Sequence, residues 1–225
     1  MNTKYIFFIL IIFFCCCGKK NNTKLAQNYY KLSILELGDH PKDQNYKKSL
    51  EFINKAIEQK FKPEYLAFKA TLLFKINKIE EGLKIFDQAI ELKPEPQLYT
   101  EILNNKACLL AQAGIKSNSS QKLEKALKIW HDLKENKDYQ TPEVALVNMG
   151  LLHISQQNLE KAKNCYIDAI NFSPNYLDAH YFLALSAYKL KDFELAKKEI
   201  STILFLNQEH QGAKELNAIL LSKND

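Results

Sequence analysis

Along most of this chain, apolar residues recur at intervals of three and four, the spacing of amphipathic helices rather than of strands. Three segments show the pattern most clearly when set under one another. Residues 63–94 read PEYLAFKATLLFKINKIEEGLKIFDQAIELKP, residues 143–174 read EVALVNMGLLHISQQNLEKAKNCYIDAINFSP, and residues 177–208 read LDAHYFLALSAYKLKDFELAKKEISTILFLNQ. In each, a small residue (Ala70, Gly150, Ala184) is followed twelve positions later by another (Gly82, Ala162, Ala196), and a bulky apolar residue stands four further on (Phe86, Tyr166, Ile200). Ala89 and Ala169 supply a third small position, with Pro94 and Pro174 five residues beyond. The spacing predicts helix pairs. Antiparallel helices approach closely only where side chains are small, a large neighbour fills the hole beside the crossing, and Pro stops the second helix.

Gly150 to Ala184 and Ala162 to Ala196 are both 34 residues apart. That period, with its small–small–bulky–Pro order, resembles the tetratricopeptide repeat. The resemblance implies an all-α, right-handed superhelical solenoid of about five helix-turn-helix repeats. The last full segment departs from the pattern, with Ile203 and Gln208 where Ala and Pro would stand. Two weaker repeats extend the array. In residues 97–139, Ala107 pairs with Ala126, Trp130 and Leu133 across a gap of nineteen, so residues 114–120 (GIKSNSS) are expected to loop out between the helices. In residues 25–62, Ile53 and Ala56 match the second helix, and Gly38, Asp39, His40 and Pro41 enlarge the turn. Residues 209–222 are expected to form a capping helix. The solenoid domain is thus placed at residues 25–222.

The N-terminus does not fit the repeat. Lys4 precedes an apolar run over residues 5–14, then Cys15, Cys16, Cys17, Gly18, Lys19 and Lys20, the charged, apolar and small-residue order of a secretory signal. Residues 5–17 would make roughly 20 Å of helix, short of the about 30 Å of a bilayer core. Phe14, Cys15 and Cys16 ahead of Cys17 resemble the lipobox of bacterial lipoproteins, with Phe in place of the usual Leu and Cys where Ala, Ser or Gly is common. The resemblance implies a signal peptide over residues 1–17 with lipidation at Cys17, ahead of Cys16, and a polar tether over residues 18–24. Acyl chains contribute about 0.8 kcal/mol per buried CH₂, which makes such an anchor stable. No Asp follows Cys17, so the implied location is the cell envelope, on the periplasmic face of an outer membrane. An uncleaved anchor or an ordinary signal peptide are the alternatives.

Composition narrows the function. The 225 residues are 46% hydrophobic and 25% charged, and all 31 basic residues are Lys, for a net charge of +5. Nucleic-acid readers exploit the bidentate fork of Arg, and here Lys and acid are interleaved along helix surfaces, so no nucleic-acid partner is expected. Cys108 and Cys165 remain beyond the signal, outside any CxxC pair, and are expected to be unpaired small hydrophobes rather than zinc ligands. No phosphate loop, HExxH or GxSxG occurs, and the five His residues have no metal-ligand spacing. The chain is therefore read as a protein-binding scaffold with no catalytic residues, metal or cofactor.

In a tetratricopeptide solenoid the first helices of successive repeats line a concave groove. The groove-facing positions lie three before, one after and four after each first-helix small residue. They are Ala67, Thr71 and Phe74; Asn104, Cys108 and Ala111; Val147, Leu151 and Ile154; and Tyr181, Leu185 and Tyr188. The C-terminal half is apolar and aromatic, as expected of a surface for a protein or extended peptide, unless the superhelix closes or the capping helix covers it. Ala67, Asn104 and Val147 stand where a carboxylate-gripping co-chaperone would need Lys. Asn105 and Asn148 resemble rungs of an asparagine ladder that holds peptide backbone, which Phe68 and Phe182 interrupt. Self-association through the groove or cap, with a homo-oligomer as its product, is one rival reading. Lipid-anchored stacks of this size also resemble accessory lipoproteins of outer-membrane-protein, pilus or peptidoglycan machinery, and the sequence does not choose among these.

Overall fold

The computed structural model describes residues 22–39 and 41–222, all in helices and short turns. The first repeat is α1 (Thr23–Leu35) with α2 (Asp43–Gln59), the second α3 (Pro63–Lys75) with α4 (Ile79–Glu91), and the third α5 (Pro96–Ser117) with α6 (Ser120–Lys134). The fourth is α7 (Pro142–Ser155) with α8 (Leu159–Phe172), the fifth α9 (Leu177–Lys189) with α10 (Phe193–Leu206), and α11 (Gln211–Leu221) follows. The lipidation site expected at Cys17 lies outside the described residues. Thr23 and Lys24, counted above in the tether, belong to α1, which Asn22 caps by accepting from the Leu25 amide.

Local chemistry sets the boundaries. Pro63, Pro96 and Pro142 open three of the first helices, where a missing N–H costs nothing. Ser119, Asn158, Asp192 and His210 cap later helices through side-chain acceptors. Each turn within a repeat contains a left-handed residue: Gly38, Asn77, Asn118, Gln157 and Lys191, all with φ between 49° and 65°. Beyond it the chain folds back on the helix. Lys78 N–H donates to Leu73 C=O at 2.8 Å, and Ser119 to Gly114, Asn158 to His153 and Asp192 to Ala187 each at 2.9 Å. These six-to-one bonds are Schellman closures.

The small residues sit at the helix crossings. Ala70, Ala107, Ala126, Ala162, Ala184 and Ala196 are fully buried, as are Phe86 and Tyr166 beside them. The first repeat has its own crossing pair, hidden from pattern reading because neither member is Ala or Gly. Ser33 and Ser49 are both fully buried. Ser33 Oγ reaches Ser49 O at 2.7 Å and Ser49 Oγ reaches Ser33 O at 2.8 Å, so each hydroxyl is positioned to donate to the other residue's carbonyl. Their separation of sixteen is the usual twelve plus the four residues of the enlarged turn.

The third repeat corrects the expectation of a looped-out insertion. Residues 114–117 continue α5, and only Asn118 and Ser119 form the turn. Gly114 acts as a packing residue rather than a breaker, since a Cβ there would lie 2.8 Å from Leu123 Cγ. The extra residues therefore lengthen the first helix and raise Ile115 and Lys116 above its neighbours.

Within the array each helix packs on the next. First helices of successive repeats also touch (α3 with α5, α5 with α7, α7 with α9), whereas second helices approach one another less closely. The first helices therefore form an inner layer that bounds a groove, and the second helices splay on the outer side.

Candidate functional site: the inner-layer groove

The groove floor descends into two hollows that meet at one side chain. The first, of about 260 Å³, lies between Phe74 on α3, Cys108, Ala111 and Ile115 on α5, and Leu151 on α7, with the Asn148 amide at its wall. The second, of about 130 Å³, is bounded by Leu151 and Ile154 on α7 and by Phe182 and Leu185 on α9, with Lys189 at its lip. Leu151 is the ridge between them, 39% exposed in the middle of an apolar surface. Among the groove-facing positions read from the repeat, Phe74, Cys108, Ala111, Asn148, Leu151, Ile154 and Leu185 line this pair of hollows.

Others do not. Val147 is buried in the cluster formed by α7, α8 and α9, because the crossing of α7 and α9 covers that position. Tyr181 lies under the cap: its ring is 5.1 Å from that of His210, and a Cβ on Gly212 would lie 2.7 Å from its hydroxyl. α11 thus closes the C-terminal end of the groove, the outcome weighed above as the alternative to an open surface. Tyr188 packs beside Phe193 at 6.0 Å.

The asparagine residues are organised differently from a ladder. Asn105 is exposed, and Asn148 pairs with Asn104 instead. Trp130 Nε1–H donates to Asn104 Oδ1 at 3.0 Å, and Asn148 Nδ2 donates to the same oxygen at 3.2 Å and lies 3.6 Å from Cys108 Sγ. This relay ties α6, α5 and α7 together beneath the first hollow. It spends the Asn104 carbonyl on structure, and its only sequence signal was the Trp at a bulky position, whose indole N–H needs an acceptor when buried. Burial pushes the Cys108 thiol up to about 11, and the Cys165 thiol likewise to about 11. Neither is a nucleophile near neutral pH.

A second buried polar pair stands apart from the groove. His180 and Glu199 are 5% exposed, on α9 and α10. His180 Nε2–H donates to the Pro174 carbonyl at 2.8 Å, and Nδ1 forms a 2.5 Å hydrogen bond with Glu199 Oε2. His153 is buried on α7 beside Gln156, and burial lowers its pKa. Among the described residues no group of His, Cys, Asp and Glu could hold a metal ion, and no helix is long and apolar enough to cross a membrane.

A family model described as tetratricopeptide repeat matches residues 63–96 and 144–176, the second and fourth helix pairs. The chain carries tetratricopeptide repeats. Solved structures agree on the fold. PilF of Pseudomonas aeruginosa is 14% identical, with a TM-score of 0.68 over 88% of this chain and 84% of that one. PilW, described as a widely conserved type IV pilus biogenesis factor, is 16% identical, with a TM-score of 0.66 over 88% of this chain and 93% of that one. A thermophilic tetratricopeptide protein of Thermus thermophilus is 17% identical, with a TM-score of 0.64 over 87% of this chain and 98% of that one. No curated protein sequence matches the chain. The solenoid class expected from the 34-residue period is the observed one.

Proposed function

We propose that this chain is a lipid-anchored tetratricopeptide scaffold of the bacterial cell envelope that holds an extended apolar segment of another protein in its inner groove. The observation that carries the reading is the pair of apolar hollows meeting at exposed Leu151, beside an amide, Asn148, able to bond a peptide backbone. Exposed apolar side chains gathered in a concave surface suit an interaction site, and two pockets in series suit alternate side chains of an extended strand. The anchor rests on the resemblance of residues 14–17 to a lipobox, with Cys17 as the acylated thiol, and the outer-membrane periplasmic face follows from the absence of Asp after it. The groove lining offers surfaces that position a segment, which suits a scaffold better than an enzyme. The fold shared with a pilus biogenesis factor makes pilus assembly the first pathway to examine.

The test is photo-crosslinking in the native cell from a probe at Leu151, with Lys198 on the outer face as control. A partner captured only from Leu151 supports the reading, and equal capture from both positions refutes it. Self-association is the second reading, favoured by Phe205 on α10 at 86% exposure and by exposed Ile219 and Leu221 on the cap helix α11. A monomer mass in light scattering at every concentration would exclude it. For the anchor, Cys17→Ala should abolish palmitate labelling and release the chain from membranes; labelling that persists would refute the assignment.

A further inference from the structure

The outer layer carries a site of different chemistry. Where α4 and α6 splay over α5, they leave a cleft of about 500 Å³ floored by Leu83, Leu110 and Ile129 and rimmed by Lys84, Lys106, Lys125 and Lys128 with Glu80 and Asp87. Both acids are already paired, Asp87 with Lys106 and Glu80 with Lys122 on α6. Lys84, Lys125 and Lys128 are exposed and have no carboxylate within salt-bridge distance among the described residues. Three cations without a salt-bridge partner among the described residues therefore surround an aliphatic floor.

We infer that this outer cleft binds the phosphate headgroup of an anionic lipid, with Lys84, Lys125 and Lys128 on the phosphate and the first acyl carbons on Leu83, Leu110 and Ile129. The volume lies within the range of small-molecule sites. A peptide occupant would need neutral donors and acceptors for its backbone, and no amide or hydroxyl side chain lines this cleft. Inorganic phosphate would satisfy the lysines but leave the aliphatic floor wet. An amphiphile satisfies both, because Lys heads gain from anionic surfaces while apolar groups gain from burial. The inference stands on these residues alone and is independent of what the inner groove holds.

The experiment uses the full chain reconstituted in phosphatidylcholine vesicles with and without phosphatidylglycerol, and in phosphatidylcholine vesicles with added inorganic phosphate. Lysine acetylation is read residue by residue by mass spectrometry, with Lys161 and Lys198 on other outer helices as references. Phosphatidylglycerol should slow acetylation of Lys84, Lys125 and Lys128 by about fivefold relative to the references. Inorganic phosphate should not reproduce the effect. Ile129→Asp, at a half-buried position, should abolish the extra protection and leave any general slowing in place. Equal protection of all lysines, equal protection by inorganic phosphate, or protection that survives Ile129→Asp would each overturn the inference.

Discussion

Replacing Gly150 by Ala tests how tightly the fourth repeat depends on its small residue. Ala is the better helix former by about 1 kcal/mol, so in an isolated helix the change would stabilise. Here a Cβ at position 150 would lie 2.6 Å from Tyr166 Cζ and closer still to Cε1. The obstacle is a rigid ring and not the far end of a flexible chain. Tyr166 is fully buried, is stacked on Phe182 at 5.7 Å, and has a hydroxyl enclosed without a hydrogen-bond partner among the described residues. It cannot swing aside without breaking the packing between α8 and α9. Overpacking of this kind costs about 1–3 kcal/mol, and a contact this short against a ring belongs at the upper end, so a net loss of about 2 kcal/mol remains after the gain in helix propensity. For a domain of this size, each kcal/mol moves the midpoint by about 2–4 °C. Thermal unfolding followed by circular dichroism should therefore show Gly150→Ala melting about 4–8 °C lower. Tyr166→Leu alone should also destabilise, by leaving a void, but the double substitution should recover at least ~1 kcal/mol relative to the sum of the singles. A Gly150→Ala midpoint equal to or above that of the parent would refute the reasoning, because propensity would then outweigh the contact.

Four further outcomes are expected. Ser33→Ala or Ser49→Ala alone should cost about 0.5–1.5 kcal/mol in urea unfolding, because each removes one hydroxyl-to-carbonyl bond while the other remains; no loss from either would contradict the reciprocal pair. His180→Ala should destabilise by about 3–5 kcal/mol because Glu199 is left buried without its partner, and His180→Phe with Glu199→Leu should restore most of that; a single-variant cost below ~1 kcal/mol, typical of surface changes, would count against the pair. Lys191→Gly should raise stability by about 1 kcal/mol, since a side chain in the left-handed region is strained there; a loss would mean that the Lys191 side chain contributes more than the strain it causes. The thiols of Cys108 and Cys165, raised by burial from an ordinary value of 9.0 to about 11, keep in the folded state a proton that the unfolded chain releases first. Stability should therefore be unaffected below pH 9 and fall as pH rises towards about 11, and Cys108→Ala should flatten part of that slope; an unchanged slope would place the dependence elsewhere.

Membership of the tetratricopeptide fold was legible in the sequence, because it rests on the residue types that permit helices to cross. Ala70, Gly82, Gly150, Ala162, Ala184 and Ala196 at fixed spacing, with Phe86 or Tyr166 beside them, are local requirements of close approach, and local requirements leave a periodic trace. The same chemistry with different residues left no such trace: the Ser33–Ser49 crossing needs side chains that are small, and Ser becomes recognisable there only when each hydroxyl is seen to donate to the other residue's carbonyl. Gly114 read as a turn because a glycine without a neighbour suggests flexibility, whereas Leu123 above it makes a side chain impossible in a continuing helix. What the groove exposes was decided by tertiary structure. Tyr181 and Leu151 occupy comparable first-helix faces, yet α11 covers one and nothing covers the other among the described residues, and that difference depends on how a helix later in the chain docks. The lysine cleft likewise arises from α4, α5 and α6 together. Periodicity fixes which face a residue takes on its own helix, while the angle between helices fixes whether that face meets protein or a partner.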